Sequence, residues 1–421
     1  MTGDLPVERV RVAVVGGGPA GLTAAAALAG AVDGEVRVVE REETTGGIPR
    51  HSDHLGYGVR DLRRFVSGPA YARRLTETAR DAGAVLETRA QVTGWDGDRR
   101  LLVTSPRGRH VVEADAVVLA TGARERPRPA RRIAGDRPDG VLTTGELQQL
   151  VHLHHAPVGS RAVVVGAEAV SWSAVLTLRE AGCRTVAMTS DHDRPEAYLA
   201  FRAVGRLVLR TPVLARSRVV HIRGRERVES VTVEHLDTGV RREVACDTVV
   251  TTGDWVPDHE LVRLGSLHLD RATLGPVVDS ALRTSSPGVF AVGNLVHPVD
   301  TADVAALDGR HVADGVRAHL AGRARGPGVR LTVEAPLRWV TPQLLVPGVP
   351  ASRGDLLLWT DRYRMLPVVR AVQDGRLLAH RRLPWPAAPG RVFRVPADLV
   401  SSAEPRGGVV VLRLEDGVQS P

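Results

Sequence analysis

Two stretches of the sequence share a plan and differ at the residues that would carry its chemistry. In RVAVVGGGPAGL, Arg11 to Leu22, an apolar run enters a G-x-G-x-x-G spacing at Gly16, Gly18 and Gly21. In RAVVVGAEAVSW, Arg161 to Trp172, a similar run reaches Gly166, but Glu168 stands at the second position and Ser171 at the third. The first pattern suits a dinucleotide. Gly16 allows a tight turn, Gly18 lets the backbone approach a pyrophosphate, and Gly21 lets the next helix pack close to the strand. Pro19 and Ala20 open that helix, whose unpaired N–H groups face the phosphates. Glu40, about twenty residues further on and followed by Arg41, would accept hydrogen bonds from ribose hydroxyls and repel a 2′-phosphate. FAD or NAD fits such a site, and NADP does not.

The second pattern has no rescue by a shift of register, because no glycine lies between Gly166 and Gly182. Glu168 sets a negative charge where a pyrophosphate would lie. Two unit charges about 4 Å apart repel by about 4 kcal/mol at an effective dielectric of 20, close to a thousandfold in affinity. The expectation is a domain that keeps its fold as a scaffold and has lost its nicotinamide partner.

Other chemistry-bearing residues are few. The loop GGIPRHSDHLGYG, Gly46 to Gly58, carries His51 and His54, read either as acid–base or anion-binding groups beside a cofactor or as ordinary loop histidines. Their H-x-x-H spacing is a weak metal motif, and no metal is expected. His297 is a third candidate catalytic histidine, with packing beside Pro298 as the alternative. Cys183 and Cys246 are the only cysteines and lie far apart, which excludes a cysteine-ligated cluster and a redox pair in the loop. There is no lysine, so Schiff-base chemistry is excluded and the net charge of +8 rests on arginine. Those arginines are spread along the chain without interleaved aromatics, which argues against nucleic acid.

The elements that must position these residues follow from periodicity. Residues 10–40 read as a β-α-β unit, 68–83 as a helix, 84–113 as alternating strands and 160–190 as a second β-α-β unit. Strands follow near 217–235 and 241–251, then a helix ending near 322. From about 326, short apolar runs separated by Pro, Gly and Asp read as a β-rich module. No run approaches a membrane span, and MTGDLPVERV does not read as a signal peptide, so a cytoplasmic protein is expected.

Taken together, VVGGGPAGL, Glu40, VVLATGARERP, VVTTGDWVP and VFAVGN, in that order over about 1–322, resemble the pyridine nucleotide-disulfide oxidoreductase superfamily, that of glutathione and thioredoxin reductases. The resemblance implies an α/β fold of two Rossmann-like dinucleotide-binding domains, one interrupting the other, plus the C-terminal β-rich domain. The corresponding divisions are 1–145 and 256–325 for the FAD domain, 146–255 for the degenerate NAD(P)-binding-like domain, and 326–421 for the tail. It implies FAD, held at Gly16, Gly18, Pro19, Ala20, Gly21, Glu40, Arg41 and Gly47. Thr121, Gly122, Gly293 and Asn294 complete the set, with Thr301 and Ala302 at the start of the last helix. Asn294 replaces the usual aspartate, and Thr301 or Asp300 would cap that helix and aim its positive end at the flavin.

GGIPRH, ATGARERP, VVGAEAVSWSAVLTLREAG and AVGNLVHPVDTADVAALDGR narrow the likeness. They are similar to the FAD-binding alpha-type subunits of opine oxidase, hydrogen cyanide synthase and dye-linked amino-acid or glycerol-phosphate dehydrogenases. That implies an enzyme oxidising a small amine, amino acid or hydroxy compound through flavin N5. Electrons would leave to a non-NAD acceptor. Possible partners are a separate small iron–sulfur protein and a second flavoprotein subunit. The alternatives are a non-catalytic FAD relay or scaffold subunit, and an NAD(P)H-dependent flavin reductase.

Overall fold

The computed structural model describes residues 5–193, 196, 211–323, 326 and 328–415. Its first sheet is built on Val7–Val15, whose inner residues Val12, Ala13 and Val14 are fully buried. A run of small and β-branched residues buried on both faces is the mark of a central parallel strand. Val36–Val39 pairs with it in parallel on one side (Val12 opposite Val36) and Gly108–Leu119 on the other (Val12 opposite Ala116). Val85–Glu87 extends the sheet beyond Val36–Val39, and Arg100–Ser105 and Gln91–Trp95 continue it antiparallel. The helix Pro19–Ala29 is alanine-rich because the last helix, Ala302–Leu320, crosses it closely: a Cβ at Gly309 would fall 2.1 Å from the Ala20 carbonyl oxygen.

The chain leaves this unit and returns to it. Strand Val289–Ala291 joins Gly108–Leu119 in parallel, about 170 residues later in sequence. Between them lies a five-stranded parallel sheet in the order Val141–Thr143, Thr248–Thr251, Arg161–Val165, Arg184–Thr189, Val213–Leu214. The helices Thr144–His152 and Ala169–Glu180 flank it, the first opened by a capping box of Thr143 and Glu146. A second small sheet of Ser217–Gly224, Val228–His235 and Arg241–Ala245, with Ala134–Gly135, packs beside it. Residues 134–135 and 141–143, which the sequence assigns to the first unit by its limit of 145, therefore pair within the second. The two crossings of the chain meet: Ala123–Glu125 pairs antiparallel with Trp255–Pro257, tying exit to re-entry.

The C-terminal strands form a five-stranded and a three-stranded sheet around Leu356, Leu358, Val369, Ala371, Val395, Val410 and Leu412. Their alternation of buried and exposed residues fits sheets with one solvated face. This module is fastened to the first unit: Gln343 and Leu344 N–H donate to the Val278 carbonyl, and Val346 N–H to Ser280 Oγ. The expected break at 325/326 falls partly outside the described residues. Among the described residues, no helix is long and apolar enough to cross a membrane.

Candidate functional site

The strand Val7–Val15 ends at Gly16, whose φ of 104° is strained for any side chain, and the helix Pro19–Ala29 begins three residues later. A Cβ at Gly21 would fall 1.9 Å from the Gly16 carbonyl oxygen, so helix and turn are in backbone contact. Gly18 is different. The nearest atom to a Cβ there is the Gly47 Cα at 4.0 Å, which leaves open space over the helix N-terminus. No acidic residue lies in the first turn, so its positive end is uncompensated. Glu40 is buried and accepts from Gly17 N–H at 2.7 Å and Glu42 N–H at 2.8 Å. A carboxylate so held keeps lone pairs for ribose hydroxyls. Arg41 is exposed, 3.7 Å from Asp258 and 3.8 Å from Glu42. Thr121 Oγ1 donates to the Asp258 carbonyl at 2.8 Å, and no atom lies within 4 Å of a Cβ at Gly122.

The segment after Val289–Ala291 closes the other end. Gly293 sits beside Ala20, where a Cβ would lie 2.9 Å from that methyl. Asn294 donates through Nδ2 to the Asp300 carbonyl at 3.0 Å, and its buried Oδ1 has no partner. An orphaned acceptor of this kind suits a sugar-alcohol hydroxyl. The expected cap is absent. Thr301 occupies the N-cap of Ala302–Leu320, but its hydroxyl goes to Asp303, and Asp300 Oδ1 takes only the Thr301 N–H. Asp303 is the reason: it lies in the first turn, also takes the Arg60 N–H at 3.0 Å, and draws the hydroxyl away from the helix.

The three histidines are less available than their positions suggest. His51 is buried, and burial, with Arg50 nearby, pushes its pKa down to about 4. It is neutral at physiological pH, which corrects its role as a protonated anion binder; its Nδ1 has no partner. His54 is fully engaged. Its Nδ1 bonds the Leu55 carbonyl at 2.9 Å, and its Nε2 meets Ser173 Oγ at 2.7 Å and Ser52 Oγ at 3.1 Å. Gln148 Nε2 donates to both serines, at 3.2 Å for Ser52 and 2.8 Å for Ser173. With His54 protonated on Nδ1, every bond in this set has a donor and an acceptor. The network pins the loop to the second unit, as does His152, whose Nδ1 reaches the His51 carbonyl at 2.6 Å. His297 is likewise committed: Nε2 bonds Asp308, which also accepts from Ser352 at 2.6 Å and Arg353 at 2.8 Å. Burial would raise the Asp308 pKa, but His297 and Arg353 hold it well below the carboxylate range. His297 is therefore a strut between the last helix and the C-terminal module, not a free acid or base at a cofactor edge.

The second fingerprint is filled from within. Glu168 is buried at the start of the helix Ala169–Glu180, and its Oε2 accepts from Ala167 N–H at 3.0 Å. Thr252 Oγ1 lies 2.8 Å from its Oε1, and Ser171 Oγ lies 2.6 Å from Thr252 Oγ1. A Cβ at Gly253 would fall 2.3 Å from Glu168 Oε1, so Gly253 is the space that the carboxylate occupies. Two further carboxylates stand close by. Burial pushes Glu125 up to about 7, and burial together with the Glu168 charge pushes Glu196 up. Arg131 Nη2, beside them, is spent on the Gly253 carbonyl at 2.6 Å. Glu125, Glu196, Arg131 and Gln148 carry no spacing signal in the sequence and are brought here by folding alone.

A profile of the family described as pyridine nucleotide-disulphide oxidoreductase matches residues 10–309. The benzene 1,2-dioxygenase system ferredoxin–NAD(+) reductase subunit of Pseudomonas putida is 28% identical, over 68% of this chain and 66% of that protein. An opine oxidase subunit of Rhizobium meliloti is 26% identical, over 67% of this chain and 58% of that protein. The chain thus spans less than two thirds of the length of these curated relatives. Among solved structures, T. acidophilum thioredoxin reductase superposes with a TM-score of 0.62 at 19% identity, covering 75% of this chain and 99% of that one. That likeness is one of fold. The cofactor is FAD, and the open ground over Gly18 and Gly122 and the orphaned Asn294 Oδ1 fit it.

Proposed function

The chain belongs to the pyridine nucleotide-disulphide oxidoreductase family. From that premise we propose that this FAD-dependent oxidoreductase oxidises a small amine, amino acid or hydroxy compound. Its electrons pass to an acceptor other than NAD(P), by way of a partner subunit. One observation carries the reading: the carboxylate of Glu168 lies in the space a dinucleotide phosphate needs. Glu125 and Glu196, pushed by burial toward the neutral form, add two more acidic side chains beside it and little charge of their own. The name of the opine oxidase relative is in keeping with it.

Bound FAD supplies hydride acceptance at its N5. The residues of the chain would hold it. The N–H groups of Gly18, Ala20 and Gly21 and the helix dipole would receive the pyrophosphate. Glu40 would take the adenosine ribose, and the open ground at Gly122, with Thr121 and Gly293 beside it, would leave room for the cofactor. Asn294 Oδ1 would accept from a hydroxyl of the ribityl chain, and the start of Ala302–Leu320 would lie toward the flavin. His51, kept neutral by burial, presents Nδ1 without a charge. The polar latch of Ser52, His54, Gln148 and Ser173 fixes the loop that carries it.

A second reading, an NAD(P)H-dependent flavin reductase, is the one that the names of the relatives favour, the ferredoxin–NAD(+) reductase subunit first among them. It requires Glu168 to turn out of its site. Mixing the purified holoprotein anaerobically with NADH and then NADPH decides between the two. The expected outcome is no rapid bleaching of the flavin absorbance by either, and reduction by an amine or hydroxy-acid donor. Fast bleaching by one nucleotide would establish the reductase. A flavin that no small donor reduces, in an otherwise intact holoprotein, would make the chain a relay subunit.

A further inference from the structure

The loop beside the candidate cofactor site carries a surface that neither fingerprint explains. Leu55–Tyr57 pairs antiparallel with Val66–Ser67, forming the stem of a short hairpin. Its inner side is well anchored. Tyr71 OH donates to Asp61 at 2.6 Å, Leu62 packs on the first core, and the Tyr57 ring lies 5.8 Å from that of Tyr71. Arg60 bonds Asp303 and Thr301 at the start of the last helix, which places the hairpin at the edge of the site. Its outer side is apolar and exposed: Leu55 is 61% accessible, Val59 48% and Phe65 66%, with Ile48 nearby at 49%. Arg63 and Arg64 are exposed between them and form no ion pair among the described residues. Large apolar side chains held outward by a rigid frame, beside unpaired cations, are the make-up of a docking surface.

We propose that the hairpin 55–67 is the docking surface for a small acidic electron-carrier protein of the iron–sulfur type. The proposal rests on the reading that the flavin trades electrons with a protein partner. Charge chooses the occupant. The chain has a net charge of +8, and Arg63 and Arg64 of a second copy would face their own kind, whereas an acidic carrier is steered in. The apolar residues then exclude water where the carrier meets the edge of the site. Two oxidised carrier molecules in turn take the two electrons of the reduced flavin there, one each, and the flavin's proton leaves to solvent.

The test uses the holoprotein and a plant-type [2Fe–2S] ferredoxin as the acidic probe. Calorimetric titration with oxidised ferredoxin should show saturable binding that weakens steeply with salt. In stopped flow, with the transfer run in reverse, reduced ferredoxin should reduce the flavin with a rate constant that falls at least tenfold in Arg63→Glu/Arg64→Glu. Leu55→Ser/Phe65→Ser should lower it by a similar factor with little change in the salt slope. Reduced methyl viologen, a small donor needing no docking, should reduce all variants at one rate with unchanged FAD content. The proposal is overturned by absent binding, by charge reversal without effect, or by ferredoxin and viologen rates falling together. It is also overturned if the Leu55/Phe65 variant turns a dimer into a monomer, which would assign the surface to a second copy. Rapid bleaching by NADH with ferredoxin binding intact would sink the reading of the electron donor and leave the docking surface standing.

Discussion

The two fingerprints are the same piece of architecture used in opposite ways. In each, a buried parallel strand runs into a glycine with positive φ, 104° at Gly16 and 137° at Gly166, and a helix begins three residues later. In each, a Thr-Gly pair from a neighbouring strand faces that turn. At the first, Gly122 looks onto open space and Thr121 is turned to the Asp258 carbonyl. At the second, Gly253 is filled by the Glu168 carboxylate and Thr252 is bonded to it. The acid in the first unit, Glu40, comes from the next strand and leaves the helix N-terminus free. The acid in the second comes from inside the fingerprint: its carboxylate takes the Ala167 N–H, the counterpart of Gly17 N–H, and fills the space at Gly253 without bonding the helix's own N–H groups. The comparison teaches that a phosphate cradle can be kept as a fold element once a tethered carboxylate fills the space beside it and satisfies a turn amide and a neighbouring hydroxyl.

The strongest way to break the comparison is to make the first site like the second. Gly18→Glu has room, since nothing lies closer than the Gly47 Cα at 4.0 Å, and the fold should survive. Its carboxylate would meet the pyrophosphate of FAD, with an expected loss of about a thousandfold in affinity if the charges approach to about 4 Å. The variant should purify colourless, and FAD titration by flavin fluorescence gives the constant. A yellow protein with wild-type affinity would mean that position 18 does not border the cofactor.

The reverse change is expected to be smaller. Glu168→Gly removes the carboxylate but leaves Ser171 and the high-pKa neighbours Glu125 and Glu196. NADH affinity, read from quenching of nicotinamide fluorescence, should rise at least tenfold over the wild type. Glu168→Gln keeps the bulk and removes the charge, so it should fall between them. Equal affinities in all three would show that Glu168 is not what closes the site.

Much of this contrast is legible in the sequence because fingerprints are local. A strand, three glycine positions and an acid lie within thirty residues, and the backbone sterics that require Gly16 and Gly21 involve atoms a few residues apart or on an adjacent strand. The fold class follows for the same reason: Val12–Val15 and Ala162–Val164 read as buried parallel strands wherever they stand. What local pattern cannot convey is who meets whom across units. Gln148 bonding Ser52 over 96 residues, Arg353 reaching Asp308, and Glu125 lying near Glu168 depend on how the inserted domain and the tail fold back. For that reason His54 and His297 look like free catalytic groups in sequence and are structural in the fold. Thr301 looks like a helix cap for a related reason, because Asp303 competes for its hydroxyl.

The smallest effect tests the ground between the two sites, where the loop of the first unit lies against the second. His51 is buried there with a pKa of about 4, against 6.5 for the free side chain. Between those values the unfolded chain binds a proton that the native state refuses, so stability must rise with pH across that window. Its full contribution is present above pH 6.5 and is lost as pH falls toward 4. A depression of this size corresponds to on the order of 3 kcal/mol at most. His51→Gln removes the titrating group, so its stability, measured by urea unfolding from pH 7.5 down to 4.5, should fall less steeply than that of the wild type. The two curves should run parallel above pH 6.5 and converge or cross below it. Curves parallel over the whole range would mean that the ring is protonated in place, and that the loop opens to water far more readily than its bonds to Gln148, Ser173 and His152 imply.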